Sequence, residues 1–452
     1  MKQFLMVLFV LTCQRIFSQN LDSIVVKSIF TETLVHGEAY ENLKSLCKNI
    51  GSRLSGSDNA EKAVLWGKEL MEKTGFDKVT LQPISVVKWI RGKKETAQII
   101  GSDHPIHICA LGGSIGSRGE MIAEVIEVES MEVLKNIPEV LVKGKIVFIN
   151  HKMDDTFINT FDAYGNSAGD RSRGAVAAAR KGAVACIMRS LTLTEDDFPH
   201  TGGMQYEEGV AKIPSIAIST NDANYLSEQL KQKKDLKFGF EISCETIGVV
   251  PSFNVVGEIT GTKFPKEYIT VGGHLDSWDL AEGAHDDGAG IVQSLEVIRT
   301  FKSLGIKPEH SLRCVFFMNE ENGNAGGIAY AANAKEKNEI HFAALETDAG
   351  GFSPRGFDME GTTAQFEKLK TFASLLKPFN LHYFEQGGSG TDIEPLKDGK
   401  VALIGLVTDS QRYFEVHHSA LDVFEKVNKR ELHMGAASLA ALIYLIDKNG
   451  AE

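Results

Sequence analysis

The first clear pattern along the chain is helical. Ala63, Trp66, Leu70 and Met71 share one face at three- and four-residue spacing, ahead of a turn-forming Gly75, within a helical stretch from Leu21 to about Phe76. Lys78 to Trp89 then reads as a strand. From about Leu111 to Ile218 the apolar runs become shorter. Gly144–Ile149 and Ala183–Met188 read as short buried strands, and Arg173–Arg180 is Ala-rich and helical. Glu195–Gly209 is polar with several glycines, which predicts a surface loop. From Asn254 onwards strands and helices alternate. Tyr268–Gly272, Leu312–Met318, His341–Leu345 and Val401–Val407 predict strands. Arg430–Ile446 and Ile291–Phe301 predict helices, the latter with Ile291, Leu295 and Ile298 on one face. Alternation of this kind predicts an α/β fold with a mixed, mostly parallel central sheet and helices on both faces. The middle block reads as a β-rich insertion with its own small core.

These patterns divide the chain into a leader (1–19), the start of a catalytic unit (20–110), the insertion (111–235) and the main catalytic unit (236–452). Lys2, the apolar Phe4–Leu11 and a cleavage zone at Phe17–Asn20 follow the signal-peptide layout. They predict an exported protein, secreted or periplasmic. A lipid anchor through Cys13 fits less well, because Thr12 precedes the cysteine where a smaller residue is expected. No later segment is long and apolar enough to span a membrane.

Composition adds exclusions more than chemistry. The 452 residues are 43% hydrophobic and 24% charged, with a net charge of −12, which speaks against nucleic acid or an anionic membrane as partner. None of the six cysteines forms a CxxC pair, so a cysteine zinc site is not expected. Cys186 and Cys314 sit in apolar runs and read as buried free thiols. One disulfide remains compatible with an exported protein.

The candidate chemistry collects where predicted strands end. Ligands of open parallel sheets bind beyond the carboxyl ends of the strands. His274 and Asp276 follow the first such strand; positions two apart share a side, so Asp276 can sit beside His274 and fix its ring. Gly283–Gly290 carries Asp286 and Asp287 directly before a helix. One aspartate there is explained as a cap, whereas two adjacent ones repel unless a cation lies between them. Asn319, Glu320 and Glu321 follow the Leu312 strand. Neighbouring side chains on extended chain point opposite ways, so one glutamate can bind metal while the other faces water. Thr347 and Asp348 follow the His341 strand, and His417–His418–Ser419 with Asp422 come after the last one. Each motif alone also has a plain reading as loop, cap or strand exit. Together they supply histidines and carboxylates without thiolates, which suits catalytic zinc, although such sites also accept manganese or cobalt.

The string Gly272-Gly273-His274-Leu275-Asp276-Ser277-Trp278-Asp279, the Asp286-Asp287-Gly288 turn, Glu320-Glu321, Glu346-x-Asp348 and His417-His418-Ser419 resemble the co-catalytic zinc exopeptidases of the aminopeptidase type. Within them the match is to a dipeptide-cleaving carboxypeptidase branch. The segment Ile50–Ser57 resembles that family's opening, and the insertion resembles a protease-associated domain. The resemblance implies two zinc ions per chain, bridged by Asp286. It implies His274 and Asp348 at one zinc, Glu321 and His418 at the other, Glu320 as general base and Asp276 orienting His274. His418 is preferred to His417 because the family's ligand directly precedes the serine. The resemblance also implies a cis bond at Asp286–Asp287, zinc ions roughly 3.5 to 4 Å apart sharing a water, a small peptide substrate and a homodimer as a common assembly. Gln386–Asp392, rich in glycine, and Tyr413 are expected near the pocket. Asn319, Asn322–Gly326 and Val423 depart from the family pattern, which bears on substrate preference. Two other readings are an aminopeptidase on longer peptides and a non-catalytic binding protein on the same scaffold.

Overall fold

The computed structural model describes residues 21–451; the leader and the Cys13 anchor lie outside them. An eight-stranded sheet runs in the order Lys78–Ile90, Glu245–Ile259, His310–Phe317, Phe264–His274, Ile340–Glu346, Ala402–Thr408, Pro354–Glu360, Tyr383–Gln386. Its four middle strands, from His310–Phe317 to Ala402–Thr408, are parallel. The flanks are antiparallel where Glu245–Ile259 and Pro354–Glu360 join them. The sheet is therefore mixed with a parallel centre, and the expected fold class holds.

Every position of His310–Phe317 is buried, and both faces of the strand account for it. Cys314 and Phe316 pack into the large core shared with helices Ala39–Asn49, Asp58–Thr74, Ala289–Ser303 and Lys429–Asn449. Val315 and Phe317 pack on the other side against Tyr330 of the Ala325–Glu336 helix. A strand covered on both faces reads as a continuous apolar run, which is why it was legible without alternation. Helix Asp58–Thr74 begins where the Ser57 side chain accepts the Ala60 N–H and ends at left-handed Gly75 (φ 83°).

A second, seven-stranded sheet lies between Ile90 and Glu245. Its order is Thr96–Ile99, Lys237–Glu241, Met121–Val128, Ile146–Ile149, Ala185–Arg189, Ser215–Ile218, Ile108–Ala110. The sheet thus reaches beyond the expected 111–235 at both ends. The outer strands are only three to five residues long, too short for their period to register in the sequence. This unit also carries helices Thr160–Arg180 and Thr220–Gln232, so the predicted Ala-rich helix is only the last part of a 21-residue one.

One local expectation is corrected. The polar segment 195–209 is not simply a surface loop: His200 is 2% exposed and Thr201 0%. Its middle is buried against residues 417–418, because it lies where the two units meet. Cys47, Cys109, Cys186, Cys244 and Cys314 are buried free thiols. Among the described residues no helix is long and apolar enough to cross a membrane.

Candidate metal centre

His274 is the last residue of its strand, and its environment leaves one ring nitrogen free. Its Nδ1 lies 3.0 Å from the Asp276 carbonyl oxygen, an acceptor only, so Nδ1 carries a proton and Nε2 is the nitrogen that faces the site. Nε2 is 3.1 Å from Asp286 Oδ1 and 3.5 Å from Asp348 Oδ1. The other Asp286 oxygen, Oδ2, is 3.2 Å from His418 Nε2, which is also 3.2 Å from Glu321 Oε2. One carboxylate thus faces two histidines, each with a second carboxylate beside it. His417 stacks on His418 with ring centres 3.5 Å apart, but its Nε2 stands back at 3.8 Å from Asp286 Oδ2. The close groups form three overlapping sets: Asp286 with both histidines 417 and 418, His274 with Asp287 and Asp348, and His274 with Asp286 and Glu321.

Asp286 Oδ2 and Asp348 Oδ1 are buried and, among the described residues, without a hydrogen bond. Buried carboxylate oxygens of this kind are costly unless a cation neutralises them. The donor set, histidine nitrogen and carboxylate oxygen with no thiolate, fits zinc.

The loops are held from behind. Asp422 accepts the backbone N–H of His285 at 2.7 Å and of Asp286 at 3.1 Å, which fixes the central carboxylate's main chain. The Asp286–Asp287 bond is cis. The Asp287 carboxylate braces the backbone on two sides. Its Oδ1 accepts the Gly290 N–H at 2.9 Å at the helix start, and its Oδ2 accepts the His274 N–H at 3.1 Å. The Asp276 carboxylate does not bond the His274 ring as its spacing suggested; Oδ1 is 3.9 Å from Nδ1. It accepts instead the N–H groups of Asn319 (2.6 Å) and Glu320 (3.1 Å), while its carbonyl meets the ring. Asp276 therefore ties the His274 loop to the Glu320 loop. Glu321 Oε1 accepts the Trp278 N–H at 3.2 Å.

Arg53 is fully buried and was not singled out from sequence. Its guanidinium donates to the carbonyls of Leu275 (2.6 Å), Glu282 (2.6 Å) and Gly283 (2.9 Å), clamping the first motif to the start of the second. Arg53→Met leaves the Leu275 and Glu282 carbonyls without a donor, at about 1–3 kcal/mol each, while Gly283 O keeps the Gly288 N–H. A clear drop in melting temperature is expected; an unchanged melting curve would show that the loops hold themselves.

Electrostatics follow burial and crowding. Burial, aided by the Asp348 and Asp286 carboxylates, pushes Glu320 up to about 7 despite the nearby His274. Burial and Asp286 push Glu321 up to about 8. Burial would lower His418, but Glu321 and Asp286 raise it to about 10. His274 is likewise held up by Asp348 and Asp286 against its burial. A cluster that holds protons this firmly is one whose carboxylates call for positive charge.

Beyond Asp348 opens a cleft of about 900 Å³, lined by Glu346, Asp348, Arg355, the Gly388–Thr391 turn and, from the second unit, Asn159 and Asp162. The glycine-rich stretch does lie on this cleft. Gly390 (φ 149°) passes so close to the Glu346 carboxyl that a side chain there would overlap it. Glu346 in turn accepts the N–H groups of Asp392 and Ile393 at 3.0 Å each. Tyr413 is buried with its ring 5.1 Å from that of His417. His285 is buried, stacked on Phe352 at 4.2 Å, and accepts the Gly351 N–H at 3.1 Å.

Comparison with known proteins agrees with this geometry. The profile of peptidase family M28 matches residues 254–443. Carboxypeptidase Q of Homo sapiens is 35% identical over 417 residues, covering 91% of this chain and 86% of the relative. Carboxypeptidase Q of Xenopus laevis is 34% identical, covering 93% and 89%. The crystal structure of a peptidase M28 precursor from Shewanella amazonensis is similar with a TM-score of 0.90, at 32% identity and covering 95% of this chain and 97% of that one. An aminopeptidase from an Aneurinibacillus strain shares the fold with a TM-score of 0.64 at 21% identity, covering 93% and 95%. On the strength of a match that runs through both sheets and the whole cluster, this chain belongs to peptidase family M28.

Proposed function

We propose that this protein is a dinuclear zinc exopeptidase that hydrolyses dipeptides or short peptides. The observation that carries the proposal is Asp286, whose two oxygens face His274 and His418 at 3.1 and 3.2 Å. In this reading two zinc ions would be held by five residues: Asp286 with His274 and Asp348 on one side, and Asp286 with Glu321 and His418 on the other. Bound there, zinc would supply Lewis acidity, lowering the pKa of a water and polarising a carbonyl.

The remaining steps fall to the protein. Glu320 accepts the proton of the attacking water and delivers a proton to the leaving amine. Burial among carboxylates raises its proton affinity above that of an ordinary glutamate, which favours its taking a proton. Asp276 holds Glu320 in place through the backbone and orients His274 through its carbonyl. The cleft beyond Asp348 receives the substrate, with the backbone of the glycine-rich turn along one wall. The similarity to carboxypeptidases Q supports action at a chain end. Export is part of the proposal and rests on the leader-like pattern of residues 1–19.

The test combines zinc stoichiometry with a panel of free dipeptides, end-blocked dipeptides and longer peptides. Two zinc ions per chain and cleavage of free dipeptides are expected. Release of N-terminal residues from longer peptides, with dipeptides untouched, would make it an aminopeptidase. Two bound zinc ions and no cleavage of any peptide would make it a binding protein.

A further inference from the structure

Both carbonyls of the His417–His418 pair are held from outside the eight-stranded sheet. His200 Nδ1 donates to His417 O at 2.7 Å, the only role open to it against a carbonyl. Thr201 N–H donates to His418 O at 2.9 Å. Both donors sit in the second unit, between strands Ala185–Arg189 and Ser215–Ile218. They are themselves anchored: His200 N–H donates to Ser190 Oγ at 2.8 Å, Ser190 Oγ to Ile218 O at 2.7 Å, and Thr201 Oγ1 to Ala110 O at 2.9 Å.

His418 needs such support. Its φ is 59°, a left-handed backbone that a non-glycine residue keeps only where its surroundings impose it. That backbone aims Nε2 at Asp286 Oδ2 and Glu321 Oε2 together. On the opposite edge of the ring, Nδ1 meets Thr201 O and Arg171 Nη1, both at 3.4 Å and both from the second unit.

We infer that His200 and Thr201 are positioning residues: by clamping the carbonyls of His417 and His418 they hold His418 in its metal-facing orientation, so the second unit sets the affinity of one of the two metal sites. The inference rests on the reading of His418 as a ligand. Burial keeps His200 neutral, its pKa lowered to about 3, and among the described residues its Nε2 has no partner. The side chain therefore makes one polar contact, the bond to His417.

The experiment measures zinc binding by chelator competition in the full-length protein, His200→Leu and His200→Asn. The leucine variant is expected to keep one zinc at wild-type affinity and to bind the other about 10- to 100-fold more weakly. Asparagine, whose side-chain amide can donate near the place of Nδ1, is expected to recover most of that loss. With cobalt in place of zinc, the visible spectrum of the leucine variant should change for one site only. Wild-type affinity at both sites in His200→Leu, or an asparagine variant no better than leucine, overturns the inference. A wild-type protein that does not bind two zinc ions removes the functional reading instead. Should His200→Leu fail to fold, ring-labelled histidine NMR of the wild type decides. A neutral imidazole with a slowly exchanging Nδ1 proton is expected, and its absence overturns the clamp.

Discussion

Glu320→Gln is expected to bind two zinc ions as the wild type does and to lose turnover by roughly 10²- to 10⁴-fold, the usual share of a general base. The substitution keeps the size of the side chain and its main-chain bond to Asp276, so the loops should not move. It removes only the capacity to accept a proton. Of the two adjacent glutamates, Glu321 is the one within 3.2 Å of His418, and Glu320 is the one whose proton affinity responds to Asp348, Asp286 and His274 together. The same change at Glu321 should therefore behave differently, lowering zinc content as well as rate. The measurement is metal analysis beside steady-state kinetics on a cleaved peptide. Full turnover in Glu320→Gln would transfer the base to another group.

Asp286→Ala should have the larger structural effect. It takes away the one carboxylate that faces both histidines, so both zinc ions should bind more weakly. Each metal contributes several kcal/mol to the transition state, and ~4 kcal/mol corresponds to about 10³-fold in rate. Ligand binding to the folded state alone adds stability, about 2.7 kcal/mol when zinc stands at a hundred times its Kd. A chelator should accordingly lower the melting temperature of the wild type and leave that of Asp286→Ala almost unmoved. A variant still stabilised by zinc to the wild-type extent would rule out Asp286 as the shared group.

Much of the catalytic unit was legible in the sequence because its central strands are buried on both faces and long enough to stand out as apolar runs. His310–Phe317 and Ala402–Thr408 announced themselves as apolar runs, and the polar residues following such runs marked the rim. The edges of the second sheet were not legible. Thr96–Ile99 and Ile108–Ala110 are too short to show alternation, and their pairing partners lie more than a hundred residues away. The supporting residues of the site were hidden for a different reason. Arg53, His200 and the carbonyl of Asp276 act through backbone groups, which any sequence supplies at every position. Only burial distinguishes these polar side chains, and burial follows from tertiary structure. Asp276 is instructive: its spacing from His274 pointed to the correct neighbour but to the wrong oxygen.

The long ribbon formed by Lys78–Ile90 and Glu245–Ile259 ends with Ile90 opposite Glu245, so the chain departs for the second sheet and comes home at a single point. Everything between those two residues is a cassette with one doorway. Grafting the corresponding cassette from another member of the family would leave the main sheet closed and every carboxylate of the cluster in place. It would nevertheless exchange both the loop that grips the histidine pair and the Asn159–Asp162 wall of the cleft, giving evolution, or an engineer, one handle that moves metal retention and substrate fit together.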